Sequence, residues 1–170
     1  ITATNINDVQ ASAITATAGK VELKGDSNLL RNGTAVNAAS GVSMTSSGID
    51  TQDGNQVSNS TVTTADGDVV MTSNMFNAVI NSEMSAGQGD VIIGDEGGST
   101  ETVTNGIVSV DGKKTTVTAG RNVRIAGENV IQGDNAGDVS IVAGQGNIAL
   151  SDDNKIINAE IDAQGAEGDV

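Results

Sequence analysis

Apolar residues recur along this chain in short pairs spaced by two, and each set opens just after a small-residue turn. Ala86-Gly87-Gln88-Gly89-Asp90-Val91-Ile92-Ile93 shows the pattern most fully. Ala18-Gly19-Lys20-Val21-Glu22-Leu23, Ala65-Asp66-Gly67-Asp68-Val69-Val70-Met71 and Ala143-Gly144-Gln145-Gly146-Asn147-Ile148-Ala149-Leu150 repeat it. Looser copies lie at 40–44 and 119–125. A spacing of two puts both side chains on one face of a strand. One apolar column then reads Val170, Val21, Val42, Val69, Val91, Val123 and Ile148. The next reads Leu23, Met44, Met71, Ile93, Ile125 and Leu150, with Thr2 as its polar member.

Each repeat carries two further apolar stations. The second holds Val9, Leu29-Leu30, Val57, Val79-Ile80, Ile107-Val108, Val130-Ile131 and Ile156-Ile157. Asn32, Asn59, Asn81, Gly133 and Asn158 follow closely, and these residue types suit a left-handed corner. The third pairs an apolar residue with a small one: Ile14/Ala16, Val36/Ala38, Val62/Thr64, Met84/Ala86, Val117/Ala119, Ile141/Ala143 and Ile161/Ala163. A fixed period of this size marks a solenoid. The expectation is an all-β fold, a three-faced β-solenoid (parallel β-helix) of about seven coils of ~22 residues with uncapped ends. It forms one domain over 1–170 and rises about 34 Å at the spacing of paired strands. A helix over Met75–Met84 is conceivable on propensity, but Asn77, Asn81 and Ser82 weaken it, and the strand order of neighbouring coils overrides it. Segments 51–55, 94–101 and 111–114 have loop compositions and are expected to project.

Composition narrows the function. Phe76 is the single aromatic residue, and there is no proline, cysteine or histidine. The missing proline fits a fold in which every backbone N–H joins an inter-coil ladder. Without His or Cys, catalytic triads and transition-metal clusters cannot be assembled. Carboxylate-only attack on a polysaccharide would need aromatics to stack the sugars, so no enzymatic activity is expected. The formal charge of −14 disfavours nucleic acid and anionic membranes, and no apolar run approaches the roughly 20 residues needed to span a bilayer. The acids are expected to keep a β-surface soluble. Calcium is the competing reading and the one cofactor considered, with Asp66, Asp68, Asp152 and Asp153 as candidate ligands beside Asp95-Glu96. Asp68, Asp90, Asp138 and Asp169 each follow a glycine, and some are expected to form a column at one corner, facing water. The Thr alternations at 1–4, 14–17 and 116–118 skip coils and are read as β-propensity rather than an ice-binding face. Asn32-Gly33-Thr34 and Asn59-Ser60-Thr61 match the glycan-acceptor pattern.

The two ends read as halves of one motif. Gly168-Asp169-Val170 followed by Ile1-Thr2-Ala3 is close kin to Gly89-Asp90-Val91-Ile92-Ile93-Gly94. These six terminal residues are the candidate self-association site. Natural solenoids cap or charge their end coils against edge pairing, and no such cap is read here.

The repeat resembles that of the filamentous-haemagglutinin class of secreted bacterial adhesins. The matching residues are the Ala-Gly-x-Gly-[Asp/Asn]-Val/Ile copies at 86–93 and 143–150, with 119–125 close behind. It also resembles self-assembling extracellular β-solenoid filaments. The resemblance implies a shaft, secreted or at the cell surface. Two functional readings follow. The chain is a structural subunit that stacks head-to-tail on copies of itself into an extracellular filament. Alternatively, it is a shaft repeat of a large surface adhesin, with loops at 94–101 and 111–114 touching a surface or glycan ligand. Neither involves nucleic acid or membrane insertion.

Overall fold

The computed structural model describes residues 1–95, 103–165 and 168–170. β-branched residues in alternation build its strands, which wind in sets of three. The first turn holds β1 (Ile6–Gln10), β2 (Ala13–Ala16) and β3 (Lys20–Gly25). The second holds β4 (Ser27–Arg31), β5 (Ala35–Ala38) and β6 (Gly41–Ser46), and the third β7 (Gly54–Ser58), β8 (Thr61–Thr64) and β9 (Val69–Ser73). Then come β10 (Phe76–Ile80), β11 (Glu83–Ala86) and β12 (Val91–Asp95), followed by β13 (Thr104–Val108), β14 (Thr115–Ala119) and β15 (Val123–Ala126). The sixth turn is β16 (Glu128–Gln132), β17 (Val139–Ala143) and β18 (Ile148–Ser151), and β19 (Asn154–Ile157) and β20 (Ala159–Ala163) begin another.

Every pairing is parallel and joins equivalent strands of successive turns, giving three sheets. Face 1 runs β1-β4-β7-β10-β13-β16-β19, face 2 runs β2-β5-β8-β11-β14-β17-β20, and face 3 runs β3-β6-β9-β12-β15-β18. The three-faced β-solenoid read from the sequence is the observed fold. It makes about six turns of about 24 residues, against the seven of ~22 expected. The longer period comes from corner loops, including 134–138, which the repeat pattern did not place. No helix forms over Met75–Met84: the segment holds β10 and the start of β11, joined by the corner at Asn81, as the neighbouring coils dictate.

The columns meet in a thin interior. On face 3, Val21, Val42, Val69, Val91 and Val123 stack above one another, as do Leu23, Met44, Met71, Ile93 and Ile125, all buried. On face 2, Val36, Val62, Met84, Val117 and Ile141 do the same beside their small partners. Burying each such side chain contributes roughly 1.5–3 kcal/mol. On face 1 the register selects Leu30, Val57, Val79, Ile107 and Ile131 as the inward members.

The second inward column of face 1 is polar. Asn7, Asn28, Asn55, Asn77, Asn105, Asn129 and Asn154 stack from end to end. Each Nδ2 donates to the Oδ1 of the next, at 2.8, 2.9, 2.9, 3.0, 2.9 and 2.7 Å in order. The same amides donate to corner carbonyls, among them those of Lys24, Thr45, Thr72, Gly94, Ala126 and Ser151. A buried amide is tolerated when its donors and acceptors are met, and no buried side-chain polar atom of the described residues lacks a partner.

Corners close as the residue types predicted, with one exception. Asn32, Asn59, Asn81 and Asn158 take positive φ values of 58°, 47°, 50° and 53°, whereas Gly133 does not. The glycine of the repeated motif answers to close approach. A Cβ on Gly67 would sit 1.8 Å from the Ser40 carbonyl oxygen, and one on Gly89 2.3 Å from that of Gly67. Neighbouring coils touch there, backbone against backbone.

Candidate assembly surfaces at the terminal coils

The two ends of the solenoid expose what the interior coils bury. At the first coil, Ile1 is 58 % exposed and pairs as a short edge against β3: Lys24 N donates to Ile1 O at 3.0 Å and Ala3 N to Lys24 O at 2.9 Å. Thr2 therefore lies opposite Lys24, and Ile1 falls in the Leu23 column. This corrects the sequence alignment by one residue: the polar entry assigned to Thr2 is filled by Ile1, and the column is apolar throughout. At the other end, Ile148 N donates to Asp169 O at 2.9 Å, which sets Val170 in the Val21 column as expected. One position of the strand, equivalent to Glu22, separates Val170 from Ile1 in this register. A direct peptide link between them would slip the strand by one and turn its side chains to the opposite face.

The asparagine ladder has a direction. At the last coil, Asn154 Nδ2 donates, among the described residues, only to the Asp152 carbonyl at 3.1 Å, with no further asparagine above it. At the first, Asn7 gives its amide hydrogens to Asn28 and Lys24, and its Oδ1 has no donor among the described residues. One end offers a donor and the other an acceptor. The apolar columns are open in the same way. Ile156 continues the column of Ile131 yet is 45 % exposed, and Val170 is 72 % exposed.

A second polar column runs along the corner before face 3. The Asp68 carboxylate accepts the backbone N–H of Asp90 at 2.8 Å, Asp90 that of Asn122 at 2.9 Å, Asn122 that of Asn147 at 3.0 Å, and Asn147 that of Asp169 at 3.2 Å. Arg121 bridges Asp68 and Asp90 at 3.2 and 3.0 Å. The expected carboxylate column therefore exists at Asp68, Asp90 and Asp169, with asparagines completing it. Asp138 is not part of it: it closes the loop before β17, where its carboxylate accepts from Asn135 N at 2.9 Å.

The calcium candidates do not come together. Asp66 and Asp68 lie at the corner between faces 2 and 3, whereas Asp152 and Asp153 lie three turns away, at the corner between faces 3 and 1. Among the described residues no three acidic side chains converge as a metal site would require. Both glycan-acceptor asparagines are exposed and occupy the same corner on successive coils. Asn32 Nδ2 donates to Gln10 Oε1 at 3.0 Å, and Asn59 Oδ1 accepts from Lys113 Nζ at 2.6 Å. Of the expected projecting segments, Asp111-Gly112 is a turn. Gly54 and Asn55 belong to β7, and Gly94 and Asp95 to β12, a correction to both loop boundaries. Residues 96–101 and the Asp95-Glu96 pairing lie outside the described side chains. The outward threonines of face 2 skip coils, as read from the sequence.

On face 1 the outward side of the first coil carries Asp8, which binds Arg31 of the second coil through Nε at 3.0 Å and also through Nη2. That hydrogen bond holds the Asp8 carboxyl below its ordinary value. The chain is a parallel β-solenoid. Comparison with protein-family models, curated proteins and solved structures finds no match.

Proposed function

We propose that this chain is a structural element, a rod that copies of itself extend head-to-tail into an extracellular filament, with no catalytic role. The observation that carries this is the directed asparagine ladder, which leaves an amide donor at Asn154 and an open carbonyl at Asn7. Stacking the last coil of one copy on the first coil of the next sets Asn154 Nδ2 against Asn7 Oδ1. The same motion sets Ile156 on Val9, Ile161 on Ile14 and Leu150 on Ile1, so each apolar column runs on. Parallel edges with unpaired backbone groups favour continuation, and identical rungs stacked this way approach the physics of a cross-β fibre.

Negative-stain microscopy of the 170-residue chain across a concentration series tests this. Thin fibres whose length grows with concentration are the expected result. Single short rods at every concentration would overturn it, and would leave a shaft repeat of a larger adhesin as the reading the repeat residues support.

A further inference from the structure

Resting on that filament reading, we infer that charged side chains on the two end coils fix the polarity and register of the joint, through Lys155 against Asp8 and Asp169 against Lys20. Column membership is settled by the sheet register. Lys155 pairs with Val130 of the coil before it, and Val130 stands in the column of Gly106, Ala78, Gln56, Leu29 and Asp8. Carrying that column across the joint places Lys155 of one copy directly over Asp8 of the next. Arg31 already lies on the far side of Asp8, so the signs alternate along three consecutive rungs.

The corner column behaves alike. Asp169 continues Asn147, Asn122, Asp90 and Asp68 through their backbone bonds. Lys20 stands in the same column at the other end, paired with Gly41. Stacking therefore brings Asp169 against Lys20. Neighbours in such a column lie about 4.8 Å apart, within direct reach of one another.

Among the described residues, the outward acids of the last face 2 strand meet no like charge across the joint. Glu160 meets Ala13 and Asp162 meets Thr15 on face 2, reading the register of β20 and β2 through the intervening strands. In a chain of net charge −14, a random end-to-end meeting would bring acids together. Tail-to-tail contact fails on each count: it sets Lys155 beside Lys155 and the Asn154 donor beside another donor. Opposite charges across an interface select partner and register.

Charge reversal in trans provides the test. Asp8→Lys and Lys155→Asp each set like charges across every joint, so each variant alone is expected to need at least about tenfold more protein to form fibres. An equimolar mixture restores assembly, because each variant's head then meets the other's oppositely charged tail. The double variant D8K/K155D restores it within one chain. Lys114→Asp, far from both ends, leaves assembly unchanged, and circular dichroism with thermal melts confirms that every variant folds.

If the wild type forms fibres and the single reversals assemble equally well, the charge register is wrong and the filament reading stands. The same holds if folded single variants fail and neither the mixture nor the double variant recovers. A wild type that never assembles removes both.

Discussion

Ile131 and Ile156 occupy the same inward column one coil apart, yet Ile131 is 0 % exposed and Ile156 45 %. Nothing in their own strands separates them. What differs is the coil above: Ile131 has β19 over it, whereas no described strand lies over Ile156. In a solenoid a residue is buried by the next repeat rather than by a shared core, so stability is close to a sum of neighbour terms. The terminal coils are thus interior coils that lack one neighbour.

The largest expected effect puts a number on that difference. Ile131→Ala opens a cavity with coils on both sides and should cost about 2–5 kcal/mol in the isolated chain. Ile156→Ala should cost less than about 1.5 kcal/mol, since much of its surface is already in water. Denaturant midpoints of dilute protein measure both. Equal losses would mean that the last coil is as well packed as the sixth, and the comparison would collapse.

The asparagine column repeats the contrast with polar groups. Asn77→Ala removes the acceptor of Asn55 and the donor to Asn105 and to the Gly94 carbonyl. Leaving those groups unmatched in a buried column should cost about 2–3 kcal/mol, whereas Asn154→Ala, exposed and last in line, should cost less than about 1. Thermal unfolding of the two variants separates them. A loss at Asn154 as large as at Asn77 would show that the ladder derives no strength from continuity.

That ladder also marks where sequence reading stopped. The apolar columns, the Asn corners at 32, 59, 81 and 158 and the third-station pairs were legible because burial and left-handed backbone each select a residue type. The inward asparagines were not. Asn recurs two residues before the inward apolar residue in every copy, from Asn7-Asp8-Val9 to Asn154-Lys155-Ile156, but a polar residue in a strand is by habit assigned outward. Only a stack of equivalent amides makes the inward position tolerable, and that needs the register. The shift at Thr2 has a related cause: similarity of Gly168-Asp169-Val170 and Ile1-Thr2-Ala3 to one intact motif says nothing of a position skipped between them. Asp138 shared the Gly-Asp signature of the corner column, but it precedes a face 2 strand.

The smallest effect concerns how the first coil is held. Asp8, on the outward side of the first coil, is tied to the second coil by Arg31, and the hydrogen bond from that guanidinium holds the carboxyl below its ordinary value. A carboxyl whose folded value is depressed contributes in full above its unfolded value, and the contribution is lost as pH falls through the lowered folded value. The pair is exposed, so its share of stability is small, and the readout is the titration itself. Following the Asp8 side-chain carbon by NMR, Arg31→Gln should move the midpoint upward, back toward the ordinary carboxylate range. An unchanged midpoint would show that the Arg31 contact does not persist in solution. In assembled protein the joint would add Lys155 to the other side of Asp8, and a second cation favours the charged form further. The Asp8 midpoint should therefore fall again on assembly, and a midpoint that is the same in fibres and in the dilute chain would argue against the Lys155 contact.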